Sequence, residues 1–314
     1  MDKSFEELKR KSLSGESFKE ILGEVRYNLG SHKKTRLKKA GVANSRSLLH
    51  KDIQQQHSEK LYQELLSRAK RIGPAANERF RFVTILQALT DPTIEKVKTV
   101  VEYLENQYSA IFGEAKLWSR GAIELELINL TILEKIKELK DRSEDEARKF
   151  NVLYSISEQE DYQGLIIPAT KSTTRFLVHS HSVVDFGKDH QAKEEEIRNK
   201  IKRLGYWNKN YQIQIGGLFK NKSVGKNLKH IASYVTKGGN EELRFNAGFG
   251  RDLAEDLEAK IWRAGLGRRD KGGETIEDER GLTVQEVKTL DELYLWIMQR
   301  RKDKRGYLIT SSDL

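Results

Sequence analysis

The chain contains no cysteine, which excludes disulfides, thiolate metal sites and cysteine nucleophiles. It has no uncharged apolar run of about 18 residues, the shortest that spans a bilayer as a helix. The opening stretch Met1-Asp2-Lys3-Ser4-Phe5-Glu6-Glu7 lacks the apolar core of a secretory signal. Neither H-E-x-x-H nor G-x-S-x-G occurs, so zinc-protease and nucleophile-elbow hydrolase chemistry has no anchor. No internal repeat is evident. These absences lead to the expectation of a cytosolic protein, without a membrane partner.

Basic residues are plentiful. Among 314 residues, 57 Lys+Arg face 47 Asp+Glu, a net charge of +10 and a pI near 9.4. Such a chain attracts polyanions, of which nucleic acid is the commonest. The length is large for a single core and predicts two or three domains, and a hydrophobic fraction of 37% suffices for compact ones. Residues 1–75 hold 17 Lys+Arg against 9 Asp+Glu, including the run Lys33-Lys34-Thr35-Arg36-Leu37-Lys38-Lys39. Leu48, Leu49, Ile53, Leu61, Leu65 and Leu66 recur at helical spacing from about Ser45 to Ile72, and Gly73-Pro74 stops that pattern. Residues 1–75 are therefore expected to be a basic helical DNA-binding segment, with a boundary near residue 75.

Beyond it, short β-rich runs alternate with helical ones, which predicts an α+β domain. Strands are expected at Arg81–Leu89, Gly121–Asn129, Arg175–Phe186 and Tyr211–Phe219. Helices are expected at Thr93–Phe112, Gln191–Leu204 and Lys226–Lys237, with Gly238-Gly239 as a stop. The charged stretch Thr131–Phe150 and the segment through Leu165-Ile166-Ile167-Pro168 read as an insertion. Residues 246–314 read as a helical C-terminal segment, interrupted by a Gly-rich linker and closed by a helix over Val284–Arg301.

Within the strand Arg175–Phe186, Leu177, His179, His181, Val183 and Asp185 share one face. The two imidazoles then stand on the same side, roughly 6 to 7 Å apart at the backbone, a spacing that suits joint ligation of one metal ion. Two surface or hydrogen-bonded histidines would give the same pattern. Tyr234-Val235-Thr236-Lys237 places a phenol and an ammonium three residues apart, on one side of a helix. Tyr206-Trp207-Asn208-Lys209 repeats the motif in an expected loop, so by itself the spacing says little.

Taken together, the ordered motifs RFVTILQALTDP, FLVHSHSVVDF and HIASYVTKGG over about residues 79–245 resemble those of the HUH endonuclease superfamily, specifically plasmid and phage rolling-circle replication initiators. Ser180 stands where that family carries a bulky apolar residue between the histidines. The resemblance implies an HUH nuclease domain over 76–245, with a central antiparallel sheet flanked by helices. It implies that Tyr234 attacks single-stranded origin DNA, giving a 5′-phosphotyrosine and a free 3′-OH, with strand rejoining at termination. It implies that His179 and His181 hold Mg²⁺ or Mn²⁺ with a third, acidic ligand, Glu126 ahead of Glu124. Lys237 would steady the phosphate or phenolate, and His230, one turn before Tyr234, would be an alternative ligand or activate a water. No phosphate-binding loop G-x-x-x-x-G-K-[ST] occurs, so a host helicase, with a host polymerase, is the expected partner in a prokaryotic cytoplasm. Origin hairpin or duplex DNA would be gripped by residues 1–75. The competing expectations are an HUH transposase or relaxase, and a non-catalytic nucleic-acid-binding protein.

Overall fold

The computed structural model describes residues 33–129, 151–152, 155–156, 161–162, 165–166, 174–240, 243, 245, 281–300 and 309–311. Five helices are used below: α1 (Lys51–Ile72), α2 (Ile94–Tyr108), α3 (His190–Leu204), α4 (Val224–Val235) and α5 (Val284–Gln299). The main sheet contains β1 (Phe80–Thr90), β2 (Trp118–Asn129), β3 (Thr174–Asp185), β4 (Ile213–Gly217) and the short β5 (Ile309–Ser311). They lie in the order β4-β1-β3-β2-β5, and every neighbouring pair is antiparallel. With α2 between β1 and β2 and α3 between β3 and β4, the chain follows a split β-α-β-β-α-β path. This is the α+β class expected, an antiparallel sheet flanked by helices.

β3 is the central strand, and helices cover both of its faces. On one face, the Tyr108 hydroxyl of α2 donates to Ser182 at 2.9 Å, and Arg81 of β1 reaches Glu194 of α3. On the other, α1 and α4 pack together over the sheet. Arg68 of α1 pairs with Asp185, and Arg120 of β2 pairs with Glu64 of α1. Burial on both faces explains why every β3 residue after Thr174 is buried, polar ones included. Alternation along the strand sends His179 and His181 to the α1–α4 side and Ser180 and Ser182 to the α2–α3 side.

Packing is continuous across the boundary expected near residue 75. Leu61, Leu65 and Ala69 form one stripe of α1, spaced four residues apart, and join the same core as Phe80, Leu127, Val183 and Leu228. Leu37, Leu48 and Leu49 belong to it as well. The Gly73-Pro74 turn redirects the chain into β1 without separating two cores.

Several boundaries differ from the sequence expectation for local reasons. α1 starts at Lys51, because residues 41–50 are held in turns, with the Ser47 hydroxyl on Asp291 and His50 Nε2 at 3.0 Å from the Val42 carbonyl. α2 ends at Tyr108 and passes into one wide π turn, Ser109–Gly113. β4 is shorter than expected, since Asn227 of α4 binds the Phe219 backbone and draws the chain away from the sheet. Residues 131–150 lie outside the described residues, as do residues 246–280, which include all but the last residue of the Gly-rich linker expected over 267–281. Of the expected insertion, a two-stranded hairpin, Asp161–Tyr162 with Leu165–Ile166, is described.

The outer edge of β2 is sealed by side chains. Among the described residues, β5 pairs only with Ser119, Arg120 and Gly121. Farther along, the Tyr294 hydroxyl of α5 donates to the Leu125 carbonyl at 3.1 Å and accepts from the Leu125 N–H at 3.2 Å. Asn240 does the same for Leu127, accepting at 2.6 Å and donating at 2.9 Å. Exposed strand edges invite foreign pairing, and these contacts satisfy the edge internally.

Candidate metal centre

Cross-strand pairing brings the chemistry together. Glu124 of β2 sits directly opposite His179 of β3, and Thr84 of β1 sits directly opposite His181. Directly opposed residues in an antiparallel pair point to the same face. Glu124, His179, His181 and Thr84 therefore converge beneath α4, which contributes Tyr234.

His181 Nε2 lies 3.4 Å from Glu124 Oε2, and His179 Nε2 lies 3.9 Å from the same oxygen. The ligand atoms of these three residues all lie within 4.8 Å of one another. Donors about 2.1 Å from one cation stand roughly 3 to 3.5 Å apart, so a small contraction would bring the set onto an ion. All three residues are buried. Among the described residues, both Nδ1 and Nε2 of His179, Nε2 of His181 and Glu124 Oε2 lack a hydrogen-bond partner, while Glu124 Oε1 is paired with Lys237. Buried polar atoms left without partners are costly, and a divalent cation would satisfy several of them at once.

The rings are held in place. Thr84 Oγ1 lies 3.0 Å from His181 Nδ1; with the proton on Nδ1 donated to this hydroxyl, the Nε2 lone pair is free for a ligand. Phe82 stacks on the His181 ring, centroids 5.7 Å apart and 4° from parallel. Tyr234 meets the same ring edge-on at 5.0 Å. Lys237 Nζ lies 3.3 Å from Glu124 Oε1 and 4.6 Å from the centre of the Tyr234 ring.

Burial alone would raise the Glu124 carboxyl, but Lys237 and the two imidazoles outweigh it and hold the group well below the usual carboxylate range. Burial pushes the His179 imidazole down to about 3, against the pull of Glu124. For Lys237, burial favours the neutral amine, but Glu124 and Glu126 prevail and keep the ammonium charged above its ordinary range. Burial pushes the Tyr234 phenol up to about 12, with Lys237 opposing. The result is a neutral imidazole at His179 beside a carboxylate, with a protonated phenol and a fixed cation nearby.

The expected site residues separate accordingly. His179, His181, Tyr234 and Lys237 are gathered, and so is Glu124. Glu126, preferred over Glu124 from the sequence, stands 3.9 Å from His179 Nε2 but opposes Leu177 rather than a histidine and is not one of the grouped ligands. His230 is exposed on α4 and does not enter the group. Lys237 reaches the site by a different route from the one expected. α4 ends at Val235, and the lysine lies beyond it, where Gly238 at φ 68° turns the chain back over β2. Gly239 then passes so close to Leu125 that a Cβ would stand 1.8 Å from its carbonyl oxygen. Tyr206 lies beside Tyr103 of α2, on the opposite side of the sheet. Thr84 and Phe82 were not singled out from the sequence; the alternation of β1 was the one signal available. Nothing in the structure explains a serine at position 180, which is buried between Ile85 and Ile123 with its hydroxyl unpartnered among the described residues.

No protein-family model, curated protein or solved structure matches the chain.

Proposed function

We propose that the protein is a metal-dependent single-stranded DNA nickase and strand transferase of the HUH type, acting as a rolling-circle replication initiator. The observation that carries this reading is the convergence of three buried residues with metal-ligating side chains, Glu124, His179 and His181, with the phenol of Tyr234 and the ammonium of Lys237. Glu124, His179 and His181 would hold the ion. Two imidazole nitrogens favour Mn²⁺ over Mg²⁺, which prefers a shell of oxygens. Bound there, the cation would polarise the scissile phosphate and offset the charge that develops on it.

The remaining chemistry belongs to the chain. The Tyr234 oxygen attacks phosphorus and loses its proton, and the bond from phosphorus to the 3′ oxygen breaks. That oxygen takes up a proton, leaving a free 3′-OH and a 5′-phosphotyrosine. Attack by a 3′-OH on the phosphotyrosine reverses the step and rejoins a strand. Because burial raises the phenol to about 12, the phenolate needs a countercharge, and the Lys237 ammonium held beside the ring supplies one. The free 3′-OH would prime a host polymerase, with a host helicase opening the duplex.

The test is a denaturing gel of full-length protein incubated with a 3′-labelled, randomised pool of single-stranded oligonucleotides and Mn²⁺. Label should migrate with the protein, and should not do so with chelator or with Tyr234→Phe, while Tyr206→Phe forms the adduct normally. Binding of the pool with no adduct in either Mn²⁺ or Mg²⁺ would leave a non-catalytic nucleic-acid-binding protein.

A further inference from the structure

Basic charge is also concentrated outside the N-terminal segment. Residues 197–240 contain ten lysines and arginines and no aspartate or glutamate. This stretch runs from α3 through β4 to α4 and ends at Tyr234 and Lys237. In its middle stands Phe219, 58% exposed, the most exposed large apolar residue among those described. A phenylalanine left in water forgoes its burial energy, and here the fold holds it in that position. Asn227, itself buried, accepts from the Phe219 N–H at 3.3 Å and donates to the Phe219 carbonyl at 2.9 Å and the Lys222 carbonyl at 3.3 Å. The backbone is pinned while the ring projects outward, with Lys222 Nζ 4.6 Å from its centre. Lys220, next in the chain, and Lys226, in the first turn of α4, are exposed.

The placement relative to the site follows from helix geometry. Asn227 precedes Tyr234 by seven residues, two turns of α4, so both project from the same side roughly 10 Å apart along the axis. β4 has no strand partner on its outer edge among the described residues, and on the Tyr234 side of the sheet a Cβ placed on Gly216, opposite Phe82, would meet nothing closer than the Phe82 carbonyl oxygen at 4.0 Å.

We propose that Phe219 is the stacking platform of a single-strand track leading to Tyr234. One unpaired base of single-stranded DNA lies on the Phe219 ring, while Lys220, Lys222 and Lys226 take neighbouring phosphates. Charge complementarity selects a polyanion, and an exposed ring selects unpaired bases, because those of a duplex are already stacked on one another. The substrate class rests on the nickase reading, but the binding itself can be tested separately.

The experiment uses full-length protein in chelator, with fluorescent single-stranded oligonucleotides about ten nucleotides long and anisotropy as the readout. Phe219→Ala should weaken binding about 5- to 150-fold, the equivalent of roughly 1 to 3 kcal/mol for one stacked base, without changing the salt slope. Phe219→Trp should retain binding and be quenched on adding DNA. Removing one base from the oligonucleotide should cost the wild type as much as Phe219→Ala does, and cost that variant nothing further. Lys220→Gln with Lys222→Gln should instead flatten the salt slope by about 1.4. The proposal is overturned if Phe219→Ala binds like wild type, or if a duplex binds as tightly as the single strand and loses as much. Phe219-dependent binding without any adduct in Mn²⁺ would keep the track and overturn the nickase. Normal binding and adduct formation by Phe219→Ala would do the reverse.

Discussion

At the scale of single residues, the site contrasts two carboxylates two positions apart on one strand. Glu124 is wedged between both imidazoles and Lys237, whereas Glu126 stands 3.9 Å from His179 Nε2, the one imidazole it approaches among the described residues. Glu124→Gln should therefore lower Mn²⁺ affinity at least about tenfold and Glu126→Gln by only about threefold, while His179→Ala and His181→Ala each abolish measurable binding. Titration of free Mn²⁺ by electron paramagnetic resonance reads this directly, and equal losses at the two glutamates would assign them equal roles. The lowered pKa of His179 also has a sign. The unfolded chain takes up a proton near pH 6.5 while the folded imidazole resists until about 3, so the stabilising contribution is complete above 6.5 and is lost as pH falls. The lowered Glu124 acts in the same direction below its ordinary 4.5. Metal-free protein in chelator should lose about 2 kcal/mol between pH 6.5 and 4.5 from His179 alone. Urea titrations across that range should be flatter for His179→Gln, and an unchanged slope would show that His179 is not the titrating group.

At the scale of elements, the outer edge of β2 decides whether Glu124 stays opposite His179. Tyr294 and Asn240 each bind both backbone groups of one β2 residue, Leu125 and Leu127, and the Tyr294 hydroxyl also accepts from the Gly239 N–H. Tyr294→Phe strands these buried groups and should cost about 1 to 3 kcal/mol. Asn240→Ala should cost a similar amount. Both should also weaken Mn²⁺ binding, because they loosen the strand that presents Glu124 and the turn that presents Lys237. Urea unfolding and metal titration of the same variants check this; a stability loss with unchanged metal affinity would mean that the edge supports the fold alone.

At the scale of the whole molecule, charge and core overlap. Residues 33–72 are basic, yet Leu37, Leu48, Leu49, Leu61 and Leu65 are buried with the sheet. At roughly 1.5 to 3 kcal/mol for each buried side chain, deleting residues 1–75 removes about as much as a typical domain's entire stability. The truncated chain should therefore fail to unfold cooperatively in urea, and a soluble, cooperatively unfolding product would refute the packing described. Duplex grip by this segment is better examined with Lys34→Gln and Lys38→Gln, both exposed, which should flatten the salt dependence of duplex binding by about 1.8. Among the described residues, no helix is long and apolar enough to cross a membrane.

The sequence by itself determined whatever depends on local period. Pleating alone places His179 and His181 on one face of β3, and a strongly amphipathic pattern places Tyr234 on a helix. The choice between Glu124 and Glu126 could not be read this way, because Ile123-Glu124-Leu125-Glu126-Leu127 repeats every two residues. A slip of one repeat keeps every side chain on its face and exchanges the two carboxylates. Tertiary contacts of Tyr294 and Asn240, from segments remote in sequence, accompany the register in which Glu124 meets His179. Likewise, Thr84 reaches His181 through the pairing of β1, which is interrupted by a bulge at Gln87, and His230 was left in solvent by the packing of α4. Lys237 arrives through a turn whose close approach only glycine at 239 permits. The fold class was thus legible from alternating short periods, and the candidate ligand set was decided by pairing between strands that local chemistry does not encode.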